Sequence, residues 1–337
     1  MSHVNVAFNS IKVPQYIFET APHQPVWCIS PILRRPLTDT FHEIWLDTNV
    51  VSQSTYNPNI AALVRVACAE KIALNPMFAL AELHRSHEIL AAGDLMLDKV
   101  PRFEEFYGYL FDMETVIGQS LHIGLNIEVD RLYVKRLADS ALVIKYFYNK
   151  AGLSFEKRLE GFAKLVRDHL PYFAITFYVA CLYFFAKEPS GKALFGKKLC
   201  SKIDGDMALL KDKKEENLER ALNLGSDMAL HTQATAYPVT APPHRFRIPY
   251  IATSDKGLAL LLREIGYQAL SINSHKRIGQ GWPAFREGGI MFSNCPPPAG
   301  DILERYLVDV PYVEERLTTL DAFAKAIASE TFDHTKV

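Results

Sequence analysis

Four acidic side chains stand where chemistry could use them. Asp47 closes the apolar run in FHEIWLD, Glu82 lies in NPMFALAEL, Asp227 follows Gly225 and Ser226 in GSDMALHTQ, and Asp255 closes IPYIATSD. Brought together, such groups repel one another. Two carboxylates about 4 Å apart cost roughly 4 kcal/mol at an effective dielectric of 20. Protonating one or two of them relieves the repulsion. For a cluster drawn from two strands and two helices, a hard divalent cation with oxygen ligands relieves it better. A cation held in this way acidifies water and neutralises charge on a phosphate, so no Ser, Cys or His nucleophile is required.

Taken singly, each acid has a structural reading. An Asp after a strand is commonly the N-cap of the next helix, and Asp255 stands just ahead of the helical GLALLLREIG. Asp227 reads as a first-turn anion favoured by the helix dipole, and Glu82 as a solvated helix residue. The elements around them decide how the four could act jointly. IWL and IPYIA are short apolar runs of the kind expected for buried parallel strands. Asp47 and Asp255 then fall at strand C-terminal ends, the edge where open α/β sheets bind ligands. Glu82 is expected on a helix starting after Asn75 and Pro76, with Met77, Leu80, Ala81 and Leu83 facing inward. Asp227 is expected to open a helix that Pro238 stops.

The motifs LDTNVVS with Asp47 and Asn49, AEL with Glu82, SDMALHTQATA with Asp227, and ATSD with Thr253 and Asp255 resemble those of the PIN-like nuclease family. The resemblance covers roughly residues 41–95 and 215–272, and no one motif has the specificity of a paired CxxC zinc site. It implies an α/β fold: a PIN-like parallel sheet flanked by helices, with a mainly helical insertion. It also implies that Asp47, Glu82, Asp227 and Asp255 bind Mg²⁺ or Mn²⁺, directly or through water, for phosphodiester hydrolysis. Asp47 would be the central ligand, and Asn49 and Thr253 would position substrate or ligands. RNA is the favoured substrate over DNA, which makes an endoribonuclease the expected activity. The chain departs from compact family members in the long stretch between Glu82 and Asp227.

Other chemistries fit less well. A haloacid-dehalogenase-like phosphatase wants a second Asp two positions after the first, where this chain has Asn49. No GxGxxG follows the first core strand, against a dinucleotide binder. His84, His87 and His231 lack HExxH spacing and read as surface or core histidines. Arg245 and Arg247 around Phe246, and Lys276, Arg277 and Arg286 near Trp282, could hold phosphate and stack bases, or be plain surface. The serious rival is a non-catalytic PIN-like scaffold that binds RNA or protein.

The whole chain sets bounds on these readings. With 337 residues it can bury a substantial core, and a formal charge of −1 gives no global attraction for nucleic acid. Its 49% hydrophobic and 22% charged residues describe a soluble globular protein. Five cysteines, at 28, 68, 181, 200 and 295, have neither zinc spacing nor disulfide density and read as reduced thiols. The N-terminal MSHVNVAFNSIKV has no basic region before an apolar core, so a cytoplasmic location is expected. Residues 170–186, LPYFAITFYVACLYFFA, carry no charge. They would reach roughly 26 Å as a helix, short of a hydrocarbon core near 30 Å, and are expected to form a core helix with no membrane role.

The expected organisation is an N-terminal extension over 1–40, a first core part over 41–95 in βαβα order, a helical insertion over 96–214, a second core part over 215–272, and a C-terminal extension over 273–337. The N-terminal patches are expected to form an edge strand or packed arm. KEPSGKALFGKKLCSKIDGD is expected to make loops, and YQALSI the last core strand. The insertion could gate substrate, bind a regulatory protein or mediate self-association. A C-terminal helix is expected to present Val313, Leu317, Leu320, Ala324 and Ile327 on one face.

Overall fold

The computed structural model describes residues 3–5, 15–32, 40–86, 113–169, 174–208, 210, 213–234, 246–273, 278–285, 299 and 301–302. They fall into two compact units, the first drawn from 1–132 and 230–282, the second from 133–229 and 283–337. Arg245, Lys276, Arg277, Arg286, Pro238, Cys295 and the proposed C-terminal amphipathic face lie outside the described residues.

The first unit is built on a five-stranded sheet of β2 (Tyr16–Phe18), β3 (Val26–Ile29), β4 (Thr40–Leu46), β5 (Ala73–Asn75) and β6 (Phe246–Thr253), in the order β2-β3-β6-β4-β5. β4 runs parallel to both β5 and β6, with Ile44 opposite Tyr250 and Leu46 opposite Ala252. Alternation along a strand sends successive side chains to opposite faces. Ile44 and Leu46 of β4, Ile248, Tyr250 and Ala252 of β6, and Val26 and Cys28 of β3 share one core. Ile60, Leu63, Val64 and Ala67 of α2 (Pro58–Ala69) cover it. On the opposite face Trp45, Ile251, Trp27 and Ile29 are buried as well. Burial on both faces is why IWL and IPYIA read as continuous apolar runs.

The sheet is mixed, which corrects the expected parallel sheet. β3 pairs antiparallel with β6, and β2 pairs antiparallel with β3. The short connection from Phe18 to Val26 can join only antiparallel neighbours, because a parallel crossover needs a dozen or more residues. The expected last core strand is also corrected. YQALSI lies in β7 (Ile265–Asn273), which pairs antiparallel with β1 (His3–Asn5) in a separate three-stranded sheet completed by β8 (Ile278–Phe285). β7 follows α10 (Lys256–Glu264) without a loop, because the C-cap Ile265 is already extended.

After β4 come α1 (Thr48–Ser52), α2 and β5, then α3 (Met77–Ser86), the βαβα order expected for this stretch except that two helices stand where one was expected. α3 starts where Asn75 Oδ1 accepts the Met77 amide at 2.9 Å, and it buries Phe78, Ala79, Leu80, Ala81 and Leu83. Arg85 near its far end pairs with Asp130 of α4 (Met113–Asn149), and Gln233 Nε2 donates to Asp130 at 3.1 Å.

The second unit is helical. α6 (Ala174–Lys187) buries Ile175, Phe177, Val179, Ala180, Cys181, Leu182 and Phe184, as expected of a core helix. Among the described residues no helix is long and apolar enough to cross a membrane. Aromatic edges lock α6 to α5 (Phe155–His169), with Phe162 and Phe184 centroids 6.4 Å apart and Phe155 and Phe185 6.0 Å apart.

KEPSGKALFGKKLCSKIDGD does not form loops. It folds as α7 (Pro189–Phe195) and α8 (Lys197–Met207). Pro189 occupies the first helical turn, where a missing amide costs nothing, and Gly196 takes φ +77° between the two helices. Asp227 does not open a helix either, because α9 runs unbroken from Lys214 to Gln233. Gly225 is no break: a Cβ there would come within 2.7 Å of the Ala138 backbone nitrogen, so the glycine permits close approach of α9 to α4.

Candidate active site

The parallel ladder carries one residue past β4, since the Asp47 amide donates to the Ala252 carbonyl at 3.0 Å. Asp47 is the N-cap residue of α1, with its carbonyl accepting from Val50 and Val51, yet its side chain makes no cap hydrogen bond. Instead its Oδ2 accepts from the Thr253 hydroxyl at 2.6 Å and from Asn49 Nδ2. A carboxylate turned away from the cap it could have made is held for another reason than helix initiation.

Asn49 and Thr253 are themselves held. Asn49 Oδ1 accepts from the Ser254 amide at 2.8 Å and the Ser254 hydroxyl at 3.0 Å. The Thr253 hydroxyl oxygen accepts from the Asp255 amide at 2.9 Å and from Asn49 Nδ2 at 3.3 Å. Outside this lies a ring of amides that the sequence reading did not single out. Gln53 Nε2 donates to Ser254 Oγ at 3.0 Å and to Gln24 Oε1 at 3.2 Å, and Gln24 Nε2 donates to the Ser254 carbonyl at 3.2 Å. Asn57 and Asn59 each donate to the Gln24 carbonyl. The polar run SQSTYNPN, from the last residue of α1 into the start of α2, was the available signal. Gln24, from the segment before β3, had none.

The Asp47 side chain is buried, with the residue 7% exposed. Burial raises its carboxyl, and the charges of Glu82 and Asp255 add to the rise. Hydrogen bonds from Thr253 and the Thr48 backbone oppose it, and the carboxyl is left pushed up to about 7. Glu82, on α3, and Asp255, after β6, are therefore near enough to act on Asp47 through their charge. Asp255 also fills the N-cap place expected of it: its Oδ1 accepts from the Gly257 and Leu258 amides and caps α10. Asp227 is half-buried within α9, in the second unit.

Two basic and imidazole candidates have structural duties. Arg247 Nη1 donates to Glu43 at 3.1 Å, its Nη2 donates to the Ala234 carbonyl at 3.3 Å, and its guanidinium lies 5.2 Å from the Trp45 ring centroid. His231 is fully buried, with Nε2 3.2 Å from the Ile265 carbonyl, which makes it a core histidine.

Among the described residues, no three His, Cys, Asp or Glu side chains form a ready-made metal cage. The donor set nevertheless suits a small hard cation. Mg²⁺ is ordinarily held by one or two carboxylates together with waters and substrate phosphate, not by an all-protein shell. Comparison with known protein families, curated proteins and solved structures finds no match to this chain.

Proposed function

We propose that this protein is a divalent-metal-dependent nuclease of the PIN-like kind, with RNA as the favoured substrate. The observation that carries the reading is Asp47: a buried carboxylate at a parallel strand's C-terminal end, anchored by Asn49 and Thr253 and charged against by Glu82 and Asp255. Such a group sits at high energy until a cation or a proton neutralises it.

Asp47 would hold the ion, with Glu82 and Asp255 contributing directly or through water. When bound, Mg²⁺ or Mn²⁺ supplies acidified water and charge neutralisation at the phosphate. Asn49 and Thr253 keep the Asp47 carboxylate in one orientation, so little ordering remains to be done when substrate arrives. Burial, with the charges of Glu82 and Asp255 added, keeps the Asp47 proton affinity high, and a bound cation would compete with that proton. The helical insertion, residues 96–214, is the proposed surface for a regulatory partner or self-association.

One observation favours the scaffold reading: the Asp255 oxygen that caps α10 is already occupied. Incubation of single-stranded RNA, structured RNA and DNA with the protein in Mn²⁺ and in EDTA separates the two. Cleavage in Mn²⁺ that is lost in EDTA and in Asp47→Asn supports the nuclease. Intact nucleic acid, with a melting temperature indifferent to Mn²⁺, supports the scaffold.

A further inference from the structure

Four large apolar or aromatic side chains stand out from the surface among the described residues: Ile17, Tyr56, Leu132 and Leu222. Tyr56 is the most exposed of them at 65%, and its turn is tied by hydrogen bonds to residues around the candidate site. It belongs to the turn between α1 and α2, which starts from the strand end that carries Asp47. Its amide donates to the Gln53 carbonyl at 3.1 Å, and Gln53 in turn reaches Ser254, the residue following β6. The turn is pinned from a second side, where Asn57 Nδ2 donates both to the Gln24 carbonyl at 2.9 Å and to Gln53 Oε1 at 3.2 Å. Among the described residues nothing hydrogen-bonds to the Tyr56 side chain or stacks on it.

An exposed ring on a backbone held from two sides stays hydrated, adds no packing to the fold, and leaves its face open to a stacking partner. We propose that Tyr56 is a base-stacking residue, its ring receiving a nucleobase of single-stranded substrate and so setting where the strand lies along the Asp47 edge. This rests on the nuclease reading for the identity of the substrate. Stacking needs an unpaired base with an open face and tolerates any base, because every base has a π-face. Duplex nucleic acid offers no such face away from its ends.

The test uses the full chain and a short single-stranded RNA carrying 2-aminopurine, beside the same RNA with abasic positions. Binding is measured in EDTA and Ca²⁺, cleavage in Mn²⁺. Tyr56→Ala and Tyr56→Leu are expected to weaken binding and raise KM by roughly tenfold with kcat little changed, whereas Tyr56→Phe keeps wild-type values. The 2-aminopurine emission is quenched on binding wild type and not on binding Tyr56→Ala, and abasic RNA binds wild type as weakly as the variant binds intact RNA. Cleavage by wild type with unaltered binding in Tyr56→Ala overturns the stacking role and leaves the nuclease standing. Tyr56-dependent binding without cleavage overturns the nuclease and leaves the stacking. Absence of any RNA binding overturns both.

Discussion

The Thr253 hydroxyl donates to the Asp47 carboxylate at 2.6 Å, joining the ends of two adjacent parallel strands whose residues lie 206 positions apart in the chain. The same oxygen accepts from Asp255 and Asn49, so one hydroxyl organises three neighbours. Thr253→Val keeps the shape and removes all three bonds. It is expected to lower stability by about 1–3 kcal/mol and to raise the Asp47 carboxyl further, since a bond that favours the charged form is lost. Thr253→Ser restores most of both. A urea midpoint for Thr253→Val equal to that of wild type would remove Thr253 from this role.

Asp47 makes stability depend on pH with a definite sign. An aspartate in the unfolded chain titrates near 3.9, and the folded carboxyl is pushed up to about 7. Between these values the folded protein keeps a proton that the unfolded chain has released. Stability therefore falls as pH rises through the window, and the full penalty stands above pH 7. Asp47→Asn is expected to flatten the slope and to be more stable than wild type at pH 8 in chelator, by on the order of 2–4 kcal/mol. Mn²⁺ should raise the wild-type melting temperature and leave the variant's unchanged. A variant less stable than wild type at pH 8 in EDTA counts against the buried-charge account.

Two glycines in helices give opposite expectations for the same substitution. Gly225→Ala drives a methyl into the α4 backbone at Ala138 and is expected to cost about 1–3 kcal/mol. Gly205→Ala on α8 meets nothing within 4 Å and should gain about 0.5–1 kcal/mol from helix propensity. Thermal melts of the two variants decide it, and a stabilised Gly225→Ala would mean the two helices stand further apart.

Lys145 on α4 is 1% exposed, and among the described residues its Nζ has no hydrogen-bond partner. Burial, and secondarily the Arg220 charge, hold its amine down at about 8, against the pull of Asp206 and Glu216. The unfolded amine titrates near 10.4. Below pH 8 the fold bears the full cost of a buried cation, and the cost is relieved as pH rises from about 8 to 10.4. Lys145→Met is expected to stabilise the protein at pH 7 by on the order of 1–3 kcal/mol, with the gap closing by pH 10. Melts at the two pH values that show the same difference would refute the assignment.

What the sequence made legible was whatever its own neighbourhood determined. β4 and β6 were readable because burial on both faces leaves an apolar run, and α3 because Asn75 and Pro76 mark its start. Pairing was less readable: nothing local in VWCI says that β3 runs antiparallel to a strand more than two hundred residues away. Asp227 read as the start of a helix, and the reason the preceding Gly225 is no break, the backbone of α4, is visible only once both helices are placed. At the candidate site, Asp47, Asn49 and Thr253 stood out by type and position. Gln24, Gln53 and Ser254 did not, since their part is to hold other side chains and any polar loop residue looks alike.

β6 lies between β3 and β4, although both of those are made long before it during translation. A nascent chain released before Thr253 would expose two strand edges and an Asp47 lacking its threonine anchor. The central slot is filled last, so the strand that seals the sheet also delivers Thr253 and Asp255, and a truncated product arrives with Asp47 unanchored.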